Sequence, residues 1–208
     1  MNKHYEFVNI PGPVGVLEGI VHNVPESASI SHIGIICHPH PLHQGTMQNK
    51  VVTTIVKTFL AMGMPCVRFN FRGVGKSAGI FANAIGETED CLAVIDWAKN
   101  RWLDVHIWLA GFSFGSYVAT LASLQRNIFQ LINIAPPVHN NDFHKLLITS
   151  PCLVIQGDND EIVPAPLVHQ WYETLATNKT LIKMANTTHF FHGKLIELHE
   201  NIKQHYGF

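Results

Sequence analysis

The feature that most constrains the fold of this chain is the alternation of short apolar segments with longer segments of helical pattern. Six apolar segments contain few polar residues, which is typical of parallel strands that are covered by helices on both faces. In chain order they are IGIIC, PCVRFNF, VHIWLAGF, QLINIA, PCLVIQG and TLIKMA. The alternation predicts an α/β fold built on a doubly wound, mostly parallel sheet.

The N-terminal part of the chain has a different pattern. HYEFVNI and VGVLEGIVHNV alternate apolar and polar residues and flank a Pro-Gly turn, which predicts an antiparallel start with one wetter face. Because no repeat or linker interrupts the alternation, we expect a single domain over residues 1–208. Helices are predicted at 48–62, 84–100, 115–126, 164–176 and 190–205.

Charge and composition restrict the partners. The chain has 14 basic and 15 acidic residues, no run of either sign, and a hydrophobic content of 47% that supplies a full core. This balance does not favour nucleic acid or an anionic membrane, so we expect a small-molecule partner. We find neither a signal-peptide pattern nor an apolar run of roughly 18–20 residues, and four scattered cysteines suit reduced thiols. A cytoplasmic protein is expected.

A serine between glycines follows the segment VHIWLAGF. The pentapeptide Gly111-Phe112-Ser113-Phe114-Gly115 lies between a predicted strand and a predicted helix, which is the context of a nucleophile elbow. Ligands of parallel sheets bind beyond the carboxyl ends of the strands. A serine hydroxyl becomes a useful nucleophile only with a base and an acid that orients the base. Ser113 is therefore a candidate nucleophile whose partners should follow later strands.

Two later strand ends supply such partners. Asp158 and Asp160 follow PCLVIQG, whereas His189 and His192 follow TLIKMA. Asp160 is the better orienting acid, and Asp158 is explained equally well by an Asx-rich turn that caps the helix near Pro164. The order Ser, Asp, His is the one that the α/β-hydrolase arrangement requires.

At these motifs the chain resembles the α/β-hydrolases over nearly its whole length. HPHPLHQGTMQNK and RFNFRGVGKSAG are similar to segments of small lidless bacterial hydrolases that are related to dienelactone hydrolases. The resemblance implies that Asp160, followed by two residues and Val-Pro, is the triad acid and that His189 is the base. Only HNNDFHKLLIT connects NIAPPV to SPCLVIQG, which leaves no room for a cap domain.

The same resemblance assigns a role to the loop CHPHPLHQG. In α/β-hydrolases the loop after the first central parallel strand donates a backbone N–H to the oxyanion hole, and His40 is the expected donor here. The amide of Phe114, just after the nucleophile, is the expected second donor. Leu42 could replace His40 as the donor if the loop turns later.

The loop also permits a zinc interpretation. His38, His40 and His43 have the H-x-H-x-x-H spacing of some metallohydrolases, but Leu42 stands where such loops carry Asp. A non-catalytic α/β-hydrolase-like ligand-binding protein is the other alternative. We expect a carboxylesterase-like serine hydrolase that cleaves a small ester, thioester or lactone through an acyl-enzyme, without metal or cofactor.

Overall fold

A computed structural model describes residues 5–25, 27–140 and 143–208. Two predictions fall partly outside the described residues. They are the first strand, at His4, and the short connection expected to lack a cap, at residues 141–142. The elements in chain order are β1 (Tyr5–Gly12), β2 (Gly15–His22), β3 (His32–Cys37), α1 (Lys50–Ala61), β4 (Cys66–Phe69), α2 (Ile85–Arg101), β5 (His106–Phe112), α3 (Phe114–Ser123), β6 (Gln130–Ile134), β7 (Cys152–Gly157), α4 (Ala165–Thr174), β8 (Lys179–Met184) and α5 (Leu195–His205).

The strands form one eight-stranded sheet in the order β1-β2-β4-β3-β5-β6-β7-β8. β2 pairs antiparallel with both β1 and β4, and every other neighbouring pair is parallel. The predicted doubly wound, mostly parallel sheet with an antiparallel start is therefore confirmed. Since β3, β5, β7 and β8 all run in one direction, their carboxyl ends meet at one edge of the sheet, where the predicted site lies.

Helices cover both faces of this sheet. Adjacent residues of β3 point to opposite sides, so that Ile35 packs in the core beneath α2, α3 and α4, whereas Ile36 packs in the core beneath α1 and α5. Burial on both faces explains why the central strands are almost purely apolar. β8 departs from this expectation, because it lies at the edge of the sheet and most of its residues are only half-buried.

The last helix begins later than predicted. The sequence pattern places its start at residue 190, but α5 begins at Leu195. The preceding residues form an irregular loop with left-handed backbone at Asn186 and Phe191, whose φ angles are 51° and 56°. Such φ angles are incompatible with a right-handed helix, and the loop that they shape carries His189.

Three further expectations concern the cysteines, the cap and membrane spans. All four cysteines are free and buried, as predicted. Between β6 and β7 the described residues form only a 3-10 helix at Phe143–Lys145, which confirms the absence of a cap domain. None of the helices in the described ranges has the length and apolar character needed to cross a bilayer.

Candidate active site

Ser113 lies in a strained turn between β5 and α3. Its φ and ψ angles are 52° and −122°, a conformation that non-glycine residues rarely adopt. The turn is held by Ser113 N–H, which donates to the carbonyl of Ile134 over 2.9 Å, and by Ser116, whose N–H and hydroxyl donate to the carbonyl of Ser113. This backbone presents the serine side chain at the carboxyl edge of the sheet.

The two glycines that flank Ser113 are required by close backbone contacts. A Cβ atom on Gly111 would lie 2.2 Å from the carbonyl oxygen of Gly115. A Cβ atom on Gly115 would lie 2.4 Å from the carbonyl oxygen of Cys37 and 2.5 Å from that of His38. The elbow therefore packs directly against the start of the CHPHPLHQG loop, and only glycine permits this approach.

The structure brings the three predicted side chains into one hydrogen-bonded chain. His189 Nε2 lies 3.0 Å from Ser113 Oγ, and His189 Nδ1 lies 2.8 Å from Asp160 Oδ2. The side chains of His189 and Asp160 are 3% and 0% exposed, whereas Ser113 is half-buried. Asp160, at one end of this hydrogen-bonded series, is therefore shielded from solvent, whereas Ser113, at the other end, is partly accessible to it.

The Asp160 carboxylate is held from several directions. Oδ1 accepts hydrogen bonds from the backbone N–H groups of Ile162 and Val163 over 2.9 and 2.7 Å. Oδ2 accepts from the side-chain amide of Gln156 over 3.0 Å in addition to its contact with His189. Burial raises the pKa of Asp160, but the hydrogen bonds from His189 and the two backbone amides lower the pKa by a larger amount. The pKa of Asp160 therefore lies below its ordinary value. Asp160 is therefore ionised near neutral pH.

The other two candidates occupy different positions. Asp158 is exposed, and its Oδ1 accepts a hydrogen bond from the backbone N–H of Thr187 over 3.3 Å. His192 is exposed, and its ring stacks on Phe190 with a centroid distance of 5.9 Å. The geometry thus favours Asp160 and His189 as partners of Ser113.

The two backbone amides expected at the oxyanion lie on loops that touch each other. The ring of His40 is 4.8 Å from the ring of Phe114, and the N–H of His40 has no acceptor within the part of the chain that the structure describes. Phe114 is the first residue of α3, so its N–H has no intrahelical acceptor. The amide of Leu42 donates to His40 Nδ1 over 3.2 Å. This bond favours His40 over Leu42 as a free donor.

The three histidines of the loop do not converge on a common point. His38 is buried, its Nε2 accepts a hydrogen bond from Phe71 N–H over 3.1 Å, and its Nδ1 donates to the carbonyl of Pro39 over 2.6 Å. Burial lowers the pKa of His38 to about 4, so the ring is neutral with both nitrogens occupied. The rings of His40 and His43 stack on each other at 4.7 Å. Among the described residues, no cluster of three or more His, Cys, Asp or Glu side chains could hold a metal ion, so the zinc interpretation lacks a donor set.

Two polar side chains at the site were not predicted from the sequence. Gln156 bonds Asp160, and the carboxylate of Glu161 accepts a hydrogen bond from the backbone N–H of His189 over 3.1 Å. A polar residue inside the apolar segment PCLVIQG is the signal for Gln156, since a buried amide requires hydrogen-bonding partners. Glu161 gives no signal of this kind, because an exposed acidic residue in a turn is ordinary.

The sheet order and the strained serine elbow after β5 define the class of α/β-hydrolases. Residues 19–145 match the family described as X-Pro dipeptidyl-peptidase (S15 family). The structure is similar to an α/β serine hydrolase homologue from Coxiella burnetii, with 46% identity, a TM-score of 0.92 and 96% of each chain covered. The chain therefore belongs to the α/β serine hydrolases of this family.

Two further similarities concern the lid and the wider group of relatives. A serine hydrolase without a lid from Xanthomonas campestris is 40% identical, with a TM-score of 0.92, and the match covers 98% of this chain and 94% of that one. An uncharacterised protein from Rickettsia prowazekii is 34% identical over 205 residues, which are 93% of this chain and 85% of the relative. The Xanthomonas match places the chain in the small lidless group.

Proposed function

We propose that this protein hydrolyses small ester-like substrates, namely esters, thioesters or lactones, with Ser113, His189 and Asp160 as its catalytic triad. The observation that carries the proposal is the 3.0 Å separation of His189 Nε2 from Ser113 Oγ. At this distance the imidazole can accept the hydroxyl proton while the oxygen attacks a carbonyl carbon. The ionised, buried Asp160 fixes the tautomer that carries its proton on Nδ1 and stabilises the imidazolium that forms.

The first half of the proposed reaction forms an acyl-enzyme. Ser113 Oγ bonds to the carbonyl carbon, and the carbonyl oxygen takes up negative charge that the amides of His40 and Phe114 stabilise. The tetrahedral intermediate then breaks its bond to the leaving oxygen or sulfur, which receives the proton from His189. For a lactone the leaving group stays attached to the acyl chain.

The second half returns the enzyme to its starting state. His189 removes a proton from water, the water oxygen bonds to the acyl carbon, and the bond to Ser113 Oγ breaks as the serine regains a proton. The carboxylic acid product then leaves. No redox step or external group is required by this sequence of bond changes.

A small substrate is supported by the surroundings of Ser113. No cap covers the carboxyl edge of the sheet in the described residues, and apolar side chains are exposed on both flanking loops. Leu42 on the His40 side is 67% exposed, and Phe190 beside His189 is 40% exposed. These side chains can contact a short acyl or alcohol group without enclosing it.

The test is labelling by a fluorophosphonate probe together with hydrolysis of p-nitrophenyl acetate. We expect the wild-type protein to be labelled and Ser113→Ala, which removes the nucleophile, to lose labelling and at least about a thousandfold of kcat. Circular dichroism should show the variant folded. An unlabelled, inactive wild-type protein would support the ligand-binding alternative, and an active Ser113→Ala would refute the serine mechanism.

A further inference from the structure

The loops that follow β7 and β8 are joined by a series of hydrogen bonds. We call residues 158–164 the acid loop and residues 185–194 the histidine loop. The N–H of Asn159 donates to the carbonyl of Thr187 over 3.1 Å, and the carboxylate of Asp158 accepts from the N–H of Thr187. With the contacts of Asp160 and Glu161 to His189, four consecutive residues of the acid loop bind the histidine loop.

His189 itself is held at two separate points by two adjacent residues. Asp160 binds the imidazole through Nδ1, and Glu161 Oε2 accepts a hydrogen bond from the backbone N–H over 3.1 Å. The contact with Asp160 holds the imidazole ring, and the contact with Glu161 holds the backbone of the same residue, so together they restrict both the position and the direction of the side chain. The Glu161 contact therefore acts on where Nε2 lies relative to Ser113.

The histidine loop has little regular structure of its own to hold His189. Its backbone is left-handed at Phe191 and Gly193, with φ angles of 56° and 71°, and it begins after the edge strand β8. His189 is 2% exposed, so an N–H without an acceptor would be costly there. Glu161 supplies that acceptor, and a charged acceptor gives a stronger bond than a neutral one.

We propose that Glu161 is a positioning residue for the reaction, which holds the backbone of His189 so that Nε2 stays within reach of Ser113. The inference rests on the proposed function. Glu161 contacts neither Ser113 nor His189 Nε2, the imidazole nitrogen that faces the serine. The effect of Glu161 therefore passes through the backbone of the histidine loop. It is exposed, which means that it can be replaced without opening a cavity in the core.

The experiment compares Glu161→Ala, Glu161→Gln and the control Glu173→Ala. Glu173 is an exposed glutamate of α4, so its removal changes the net charge equally but leaves the histidine loop untouched. With p-nitrophenyl acetate we expect Glu161→Ala to lower kcat by about tenfold and to leave KM within about twofold. Glu161→Gln keeps an acceptor oxygen and should restore most of kcat, while Glu173→Ala should equal wild type.

A second readout separates positioning from general stability. The proton on His189 Nδ1 should give a low-field proton resonance in wild type and in Glu161→Gln. That resonance should broaden in Glu161→Ala at a temperature well below the Tm of this variant, where circular dichroism shows it folded, and should stay sharp in Glu173→Ala. If the fluorophosphonate labels the wild-type protein but kcat of Glu161→Ala equals that of wild type, this inference alone is overturned. A wild type that the fluorophosphonate fails to label would instead overturn the proposed function.

Discussion

Nε2 of His189 and Oγ of Ser113 lie 3.0 Å apart, although the two residues are separated by 76 positions in the sequence. β6 and β7 lie between the strands that precede them, so the histidine loop must extend from the edge strand β8 across two neighbours to reach the serine. Asp160 follows β7 and meets His189 on this path. The position of His189 therefore depends on contacts made between loops.

The first prediction separates the two aspartates. In Asp160→Asn, one carboxylate oxygen becomes an NH2 group that faces backbone N–H donors or Gln156, and His189 loses the anion that fixes its tautomer. We expect kcat to fall by roughly a thousandfold to ten-thousandfold. Asp158→Asn keeps an acceptor for Thr187 and should cost less than about threefold. Steady-state kinetics on p-nitrophenyl acetate measures both, and the opposite ranking would move the triad acid to Asp158.

The second prediction concerns Gly115. Its added Cβ in Gly115→Ala would meet the carbonyl oxygens of Cys37 and His38 at 2.4 and 2.5 Å, so the loop that carries His40 must move. Displacing one oxyanion donor typically costs about a hundredfold or more in kcat. We expect such a loss in a variant that still binds the fluorophosphonate slowly and retains its circular dichroism spectrum. Wild-type turnover in this variant would show that the loop amide does not contact the reacting carbonyl.

The third prediction is a loss of stability in mild acid that arises from His38. Burial lowers its pKa from 6.5 to about 4, so the unfolded chain binds a proton in this range that the folded chain excludes. Stability is therefore full above pH 6.5 and falls as the pH drops towards 4. The expected loss between pH 7 and pH 4.5 is on the order of 2 kcal/mol in the free energy of unfolding. Urea unfolding at pH 7 and pH 4.5 measures it.

The control for this effect is His38→Asn, which cannot take up a proton over that range. His22 also has a pKa lowered to about 4, by burial and by Arg68, but it is only half-buried and contributes less. The variant should be less stable at pH 7, yet its stability should change less between pH 7 and 4.5. A proton NMR titration of wild-type His38 checks the same claim, and a midpoint near 6.5 would contradict it.

The sequence could predict most of the elements and the convergence of the three candidate side chains because each signal is local. An apolar run marks a strand, and Ser113, Asp160 and His189 each follow one, so the parallel sheet places them at one edge. The position of β4 between β2 and β3 could not be obtained in this way, since it depends on which strands pair across a distance. The late start of α5 depends on left-handed residues that a helical pattern does not reveal.

The finer details of the site could not be predicted, because they depend on the orientation of side chains and on contacts between loops. The spacing of His38, His40 and His43 fits a metal loop, but spacing gives no ring orientation, and the ring of His38 turns towards Phe71. Glu161 directly follows Asp160, and nothing in the sequence distinguishes it from an ordinary surface glutamate. Only the structure shows that its carboxylate accepts a hydrogen bond from the N–H of His189. Contacts between loops that are distant in sequence are therefore what sequence patterns miss.

The last prediction follows from the connection between β6 and β7. Lid-bearing α/β-hydrolases insert a cap after the strand that follows the elbow helix, whereas the described residues of this connection contain one 3-10 helix, Phe143–Lys145. Nothing in that part of the chain can close over a long acyl chain or open a large apolar face at an oil-water interface. We therefore expect faster hydrolysis of short-chain than of long-chain nitrophenyl esters, and rates that rise smoothly with concentration through micelle formation. A sharp increase in rate once a long-chain substrate aggregates would show interfacial activation, which an uncovered site cannot produce.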